Sequence, residues 1–444
     1  MLEQQDTIAA LATPAGRGGI GVIRISGPKV PEIAHAILGQ LPKPRYATFS
    51  DFLEPTGEQI DQGIVLYFPA PHSFTGEAVL ELQGHGGPVV MDLLLKTVLK
   101  YGARVARPGE FSERAFLNGK IDLAQAEAIA DLIDSASTQA ARCALRSLQG
   151  EFSQHIHDLV EQLIWLRSYI EAGIDFVDEE IDLLADGQVL DRMKKLLHGL
   201  DTILDKAQQG YLLKEGMRIV LVGEPNVGKS SLLNSLAGRE TAIVTPLPGT
   251  TRDVVREQIQ INGMPLHITD TAGLRDTEDL VELEGIRRTK LALKEADLVI
   301  VLLDDRHSND SIHADLLAEL DKPPLIVRNK IDLGGHRAGM NEEGILYLSA
   351  KTGEGIEQLK DYFTQKMGLH SSAEGTFMAR RRHLDALQQA KIALTTALNH
   401  AHTYQTELLA EELRQAQHAL GEITGEFTAD DLLGKIFSTF CIGK

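Results

Sequence analysis

One eight-residue segment limits most strongly what this chain can fold into. GEPNVGKS, Gly223–Ser230, follows the apolar run MRIVLV and precedes SLLNSLAG, which has helical spacing. In the order strand, GxxxxGK[ST], helix, the glycines let backbone N–H groups surround a β-phosphate at the positive end of the helix. Lys229 is then expected at the β- and γ-phosphate oxygens, and the Ser230 hydroxyl on Mg²⁺. The segment predicts a phosphate-binding loop in an α/β domain.

Short, almost continuous apolar runs support this prediction. LHITDTAG, DLVIVLLD and PLIVRNK follow the first run and are separated by helical patterns. Strands buried on both faces of a parallel sheet have this composition. We therefore predict a doubly wound, Ras-like P-loop domain over residues 215–370.

Helical patterns flank that domain on both sides. Apolar residues recur at steps of three and four from Leu145 to Ile170, which predicts one helix of about seven turns. Residues 119–214 and 371–444 are thus expected to form a discontinuous helical domain. Residues 1–118 carry the strand-like pieces GVIRIS, GIVLYF and AVLELQ among many glycines and prolines, and predict a small α+β domain.

A second motif indicates which base the site binds. Asn329–Asp332 (NKID) closes the run LIVR, and a carboxylate at Asp332 can accept both N1–H and the 2-amino group of guanine. Adenine has no such donors there. Ser349–Lys351 (SAK) follows the run ILYL and is the usual supporting loop. In this order after a phosphate loop, the motifs predict a guanine nucleotide.

The remaining nucleotide contacts are expected in two switch segments. Thr251, in TPLPGTTRD, is a candidate second Mg²⁺ ligand; Asp270 would reach the metal through water, and the Gly273 N–H the γ-phosphate. The predicted GTP contacts are Asn226, Val227, Gly228, Lys229, Ser230, Ser231, Thr245, Pro246, Leu247, Pro248, Gly249, Thr250, Thr251, Asp270, Thr271, Ala272, Gly273, Asn329, Lys330, Ile331, Asp332, Ser349, Ala350 and Lys351.

The residue after DTAG raises the question of how water is activated. Many related switches place a glutamine there, but this chain has Leu274, which cannot hold water by hydrogen bonding. The sequence alone does not choose among the carboxylates that follow, which are Asp276, Glu278, Asp279, Glu282 and Glu284.

Composition sets the compartment and limits the partners. Two cysteines in 444 residues cannot form a disulfide framework, which favours a reducing cytoplasm. No apolar run approaches the ~20 residues of a membrane span, so we expect no membrane partner. The net charge of −19 gives no support for nucleic-acid binding but leaves room for a local basic patch.

Four further segments carry a specific resemblance. They are GRGGIGVIRISG (16–27), FTGEAVLELQGHGG (74–87), PGEFSERAFLNGKIDLAQAEAIADLI (108–133) and the terminal FCIGK (440–444). With a GTPase domain inserted between helical segments, the chain resembles the MnmE (TrmE) family of bacterial tRNA-modification GTPases over essentially its whole length.

The resemblance implies a modification reaction and partners. Such a protein is a homodimer that works with the FAD-dependent MnmG (GidA), in a heterotetramer or larger complex, to form 5-(carboxymethyl)aminomethyluridine at the wobble position of certain tRNAs. It binds 5-formyltetrahydrofolate or a related one-carbon carrier through positions matching Arg24, Glu81, Lys120 and Lys444. FAD is expected on the partner, because GRGGIG here precedes a strand rather than a helix.

The resemblance also implies an answer to the water question. Glu282 would orient the water, beside Lys229 and Gly273, and K⁺ would replace an arginine finger as the G domains pair. The K⁺ ligands would be Asn226, Thr245, Leu247 and Thr250. Two alternatives stay open: a regulatory GTPase switch for complex or ribosome assembly, and a folate-binding scaffold with a vestigial GTPase.

Overall fold

The computed structural model describes most of the chain. The described residues are 6–135, 137–175, 188–237, 256–261, 264–270, 292–293, 296–307, 323–366, 376–427, 430–441 and 443. The chain divides into two compact units. The first contains Met1–Ile133, Ser147–Leu197 and Ala386–Lys444, and the second contains Asp134–Arg146 and His198–Asp385.

A six-stranded sheet organises the N-terminal part of the first unit. Its strands are Thr7–Leu11 (β1), Gly21–Ser26 (β2), Thr48–Leu53 (β3), Gln59–Phe68 (β4), Val79–Gly84 (β5) and Ala103–Val105 (β6). The order is β3-β4-β5-β2-β1-β6, and the neighbours are antiparallel except for the parallel pair β1 and β6. The three strand-like runs predicted from the sequence fall on β2, β4 and β5.

Helices cover both faces of this sheet. Val30–Leu38 (α1) and Pro88–Lys100 (α2) pack on one face, where Ile33 and Leu94 meet Leu80 and Leu82 in the main core. Burying apolar side chains that alternate along each strand is the main term that stabilises such a layer. The expected α+β architecture of the N-terminal region is confirmed.

The opposite face of the sheet packs on the next helix. Glu110–Leu117 (α3) places Phe111 against Ile8 and Ala10 of β1. It is followed by Leu123–Ile133 (α4), whose Leu123 packs on Phe437 and Phe440 near the C-terminus.

Three helices follow α4 along the chain. They are Thr138–Leu148 (α5), Glu151–Asp175 (α6) and Gln188–Glu215 (α7). In the described part of the chain, no helix carries an apolar stretch long enough to cross a bilayer.

The single helix predicted across Leu145–Ile170 is wrong, because α5 and α6 are separate. Gly150, with φ of +90°, lies between them, and its N–H donates to Ser147 O. A left-handed residue interrupts the helical hydrogen-bond ladder and is accessible to glycine at little cost. The apolar spacing continues across this break, so spacing alone did not reveal it.

A seven-stranded sheet forms the core of the second unit. Its strands are Met217–Val222 (β7), Arg256–Ile261 (β8), Met264–Asp270 (β9), Leu298–Asp304 (β10), Leu325–Asn329 (β11), Gly339–Met340 (β12) and Leu346–Tyr347 (β13). In the order β12-β13-β11-β10-β7-β9-β8, only the edge strands β8 and β12 are antiparallel to their neighbours. The doubly wound α/β domain predicted from the apolar runs is confirmed.

The remaining helices follow in chain order. They are Lys229–Ala237 (α8), Ile331–Gly334 (α9), Ile356–Lys366 (α10), Arg381–His402 (α11), Thr406–Thr424 (α12) and Asp430–Ser438 (α13). α8 and α9 begin just beyond the carboxyl ends of β7 and β11, where ligands bind in open parallel sheets.

Candidate nucleotide-binding site

The phosphate loop leaves the carboxyl end of β7 and enters α8. Its backbone is left-handed at Asn226 (φ 65°) and at Gly228 (φ 101°). Lys229 is buried, and its Nζ donates to Gly223 O at 2.7 Å and to Glu224 O at 3.3 Å. The loop therefore curls around its own lysine, with the first turn of α8 behind it. This is the arrangement in which successive N–H groups form an anion-binding concavity.

Asn329 joins the phosphate loop to the base-recognition loops. Its side chain is 2% exposed; Nδ2 donates to Val227 O at 2.8 Å, and Oδ1 accepts from Ala350 N at 2.9 Å. A Cβ at Gly228 would lie 2.3 Å from Nδ2, so this contact requires glycine there. Asn329 thereby brings together the predicted contacts of GEPNVGKS, NKID and SAK.

Lys330 makes a second link in the same region. With φ of 70°, it extends Nζ to Asn226 O and to Asp304 Oδ2, both at 2.7 Å. Asp304 also accepts three hydrogen bonds from Arg306, one from its backbone N–H and two from its guanidinium. The Arg306 guanidinium, with help from Lys330 and against the effect of burial, holds the pKa of the Asp304 carboxyl well below its usual range. Asp304 is therefore an ionised anchor for Lys330.

Asp304 was not predicted from the sequence. It ends the entirely buried strand β10, and the register places it directly beside Asn329 of β11. The one available signal was an acidic residue at the carboxyl end of an apolar strand, which is a common position for functional side chains.

Asp332 is positioned by the supporting loop. Its Oδ1 accepts a hydrogen bond from Ser349 Oγ at 2.7 Å, and Ser349 is fully buried while Asp332 is exposed. Ile331, which precedes Asp332, is buried and donates its N–H to Leu348 O. The Asp332 carboxylate is thus fixed with acceptor capacity left for a ligand, as recognition of guanine N1–H and the 2-amino group requires.

Several predicted contacts lie outside the described residues. They are Thr245, Pro246, Leu247, Pro248, Gly249, Thr250, Thr251, Thr271, Ala272, Gly273 and Glu282. Asp270 is described for its backbone: it is the last residue of β9 and pairs in register with Leu221 of β7. It therefore begins the second switch segment beside the strand that leads into the phosphate loop.

The N-terminal sheet brings two of the four predicted folate residues together. Arg24 of β2 lies directly opposite Glu81 of β5, and Arg24 Nε donates to Glu81 Oε1 at 2.9 Å. Arg24 Nη1 also donates to Gly443 O at 3.1 Å, so the C-terminal segment reaches this pair. Lys120 instead donates to Pro71 O at 3.0 Å, and Lys444 lies outside the described residues.

Comparisons with known proteins cover the whole chain. A family model described as "MnmE helical domain" matches residues 123–441, and one described as "GTP-binding protein TrmE N-terminus" matches residues 7–120. Curated proteins called "tRNA modification GTPase MnmE" are 58% identical over 445 residues in Methylococcus capsulatus and 59% identical over 447 residues in Coxiella burnetii. Each alignment covers 99% of both chains.

A solved structure is similar over a shorter stretch. The G domain of the T. maritima FeoB iron transporter is 25% identical, covers 34% of this chain and 98% of its own, and has a TM-score of 0.27. A TM-score this low says nothing about the fold.

Proposed function

This chain belongs to the MnmE (TrmE) family of tRNA modification GTPases, and we propose that it acts on the wobble uridine of certain tRNAs. With the FAD-dependent partner MnmG, it would form 5-(carboxymethyl)aminomethyluridine. For this modification we propose three domains. They are a folate-binding and dimerisation domain (1–118), a GTPase domain (215–370) and a helical domain in two parts (119–214 and 371–444).

One observation carries the proposal: the guanine-recognition motif is assembled within a chain that matches this family from end to end. The Asn329 hydrogen bonds to Val227 and Ala350, with the Ser349–Asp332 bond, hold the base loops against the phosphate loop. This arrangement supports use of GTP rather than ATP, since adenine would leave the Asp332 carboxylate without its donors.

The described residues fit a magnesium ion on the nucleotide. Ser230 is exposed on the first turn of α8, directly after the buried Lys229. Its hydroxyl is a hard oxygen ligand of the kind that Mg²⁺ prefers, and Thr251 is proposed as the second one. When bound, the ion neutralises charge on the phosphates. The chain's own contribution is the Lys229 ammonium and the N–H groups of the loop.

We propose that GTP hydrolysis needs two further groups. In this chain they would play the roles that a glutamine and an arginine play in other GTPases. Glu282 would orient the attacking water in place of the glutamine, and K⁺ would take the place of an arginine finger. Of the four proposed K⁺ ligands, Asn226 is described: it is exposed, and its backbone is held by the bond from Lys330 to its carbonyl. Pairing of two G domains would complete this site.

The proposed folate site has suitable chemistry at Arg24 and Glu81. Both side chains are partly exposed, which leaves room for a ligand to bind. A carboxylate suits the paired N–H donors of a pterin, and an arginine suits an anionic group on the carrier. The bond from Arg24 to Gly443 supports a role for the adjacent Lys444 in the same site.

The proposal is tested by measuring GTP turnover in KCl and in NaCl at equal ionic strength. Turnover accelerated specifically by potassium is the expected result. Equal rates in both salts would favour the alternative function, a regulatory switch for complex or ribosome assembly, because such a switch does not require the potassium-bound pair of G domains.

A further inference from the structure

A second carboxylate lies behind the guanine-recognition loop. Asp305 follows the anchor Asp304, and its side chain is 0% exposed. Its N–H donates to Asn329 O at 2.8 Å, so its backbone is tied to the base-recognition motif. Burying an ionised carboxylate is costly unless hydrogen bonds replace the lost water.

His336 supplies the hydrogen bond to this carboxylate. Its Nδ1 lies 2.8 Å from Asp305 Oδ2, while the other oxygen, Oδ1, has no partner among the described residues. Because an ionised carboxylate can only accept, Nδ1–H is the donor. The His336 side chain is 59% exposed, and its ring packs against Tyr347, with ring centroids 4.8 Å apart.

The Asp305 carboxylate is packed directly against the turn that presents Asp332. A Cβ built on Gly334, the last residue of α9, would lie 2.1 Å from Asp305 Oδ2. α9 is a single turn and contains Asp332 itself. The carboxylate and the guanine-recognition turn are therefore in close contact.

We propose that His336 is a positioning residue for guanine recognition, acting through Asp305. Without His336, the buried carboxylate has no hydrogen bond from the described residues, and it can regain solvation only by moving outward. That movement pushes on α9 and shifts Asp332 relative to Ser349. The Asp332 carboxylate then loses the alignment that lets it accept from N1–H and from the 2-amino group at once.

Inosine triphosphate separates this role from a general loss of stability. Inosine keeps N1–H but lacks the 2-amino group, so Asp332 can form one contact with it and two with guanine. A misaligned Asp332 loses more affinity for GTP than for ITP, whereas a partly unfolded protein loses the same factor for both nucleotides.

The experiment uses the full chain and displacement of a fluorescent GDP analogue by GTP and by ITP. His336→Ala is expected to weaken GTP about tenfold and ITP less, which lowers the GTP:ITP preference. His336→Asn is expected to restore the preference, because its amide N–H lies where Nδ1–H does. Arg337→Ala, an exposed neighbour in the same loop, is the matched control and should behave as wild type.

Two results would overturn the proposal. One is a His336→Ala protein that binds GTP and ITP as the Arg337→Ala control does. The other is a loss of the same factor for both nucleotides, with a lower melting temperature, which assigns His336 to stability alone. GTP binding by the wild-type chain is measured in the same titration, so a failure of the nucleotide site itself would be seen separately.

Discussion

Asn329 and Val227 are joined by a hydrogen bond of 2.8 Å, although 102 positions separate them in the chain. The bond runs from a side-chain amide of the base-recognition motif to a carbonyl of the phosphate loop. Together with the bond to Ala350 N, it joins the phosphate loop and the two base-recognition loops of the second unit into one connected structure. Base and phosphate recognition are therefore expected to fail together when this link is removed.

Replacing Asn329 with alanine tests that link. Asn329→Ala leaves the Val227 carbonyl and the Ala350 N–H without their partners, at a cost of about 1–3 kcal/mol for each buried group. We expect guanine nucleotides to bind at least about tenfold more weakly, measured with a fluorescent GDP analogue.

Asn341→Ala is the matched control for Asn329→Ala. Asn341 Oδ1 accepts from the N–H groups of Glu343 and Ile345, so this substitution also removes two bonds in the same unit. An Asn329→Ala protein that binds nucleotide as tightly as Asn341→Ala would contradict the expectation.

The proposed water-orienting residue predicts a separation of binding from turnover. Glu282→Ala is expected to bind GTP with near wild-type affinity and to hydrolyse it about 100-fold more slowly or worse, the usual range for losing such a group. Single-turnover hydrolysis measures this directly, and Glu284→Ala is the neighbouring carboxylate control. Turnover near wild type in Glu282→Ala would assign the role to another residue.

Folate binding is predicted to depend on the cross-strand pair of Arg24 and Glu81. Isothermal titration of the full chain with 5-formyltetrahydrofolate should give heat with wild type. Arg24→Ala should bind about tenfold more weakly or worse, because a charged hydrogen bond contributes about 1.5–3 kcal/mol. The exposed Arg17→Ala serves as control. Absence of heat with the wild-type chain would rule out the proposed folate site.

A buried carboxylate in α3 predicts how stability depends on pH. Burial would raise the pKa of the Glu110 carboxyl, but hydrogen bonds from Arg104, the Arg107 backbone and Arg114 outweigh it and leave that pKa lowered. A lowered folded-state pKa stabilises the protein above the unfolded-state pKa near 4.3, and this contribution is lost as pH falls below it.

The measurement compares melting temperatures of wild type and Glu110→Gln at pH 7 and pH 4. Removing the Glu110 charge breaks its buried ion pair with Arg114 and should destabilise the protein by on the order of 3 kcal/mol at pH 7. The difference in stability between wild type and Glu110→Gln should shrink on acidification. Glu113→Gln, where burial raises the carboxyl pKa, should cost much less. A difference that is the same at both pH values would show that the Glu110 charge does not contribute.

Much of the nucleotide site could be predicted from the sequence because its motifs are local. GEPNVGKS and NKID each lie at the carboxyl end of an apolar strand, and parallel strands bring those ends to one edge of the sheet. The apolar runs that predicted β7 and β10 are buried on both faces apart from Arg218, and β11 alternates buried with half-buried residues, which is why their composition was informative.

The residues that support the site could not be predicted in the same way. Asp304 reaches Lys330 across 26 positions, and Asp305 reaches His336 across 31, through the register of β10 with β11. Neither pair belongs to a motif. The break at Gly150 was missed for a related reason: the apolar spacing continues through it, while a left-handed φ leaves no mark on hydrophobic periodicity.

The proposed modification of the tRNA wobble uridine is tested by mass spectrometry of tRNA nucleosides. A strain lacking this protein is compared with the same strain carrying wild type or Lys229→Ala. We predict that 5-(carboxymethyl)aminomethyluridine disappears in the deletion, returns with wild type and does not return with Lys229→Ala. Unchanged amounts of this nucleoside in the deletion strain would show that this protein is not needed to make it.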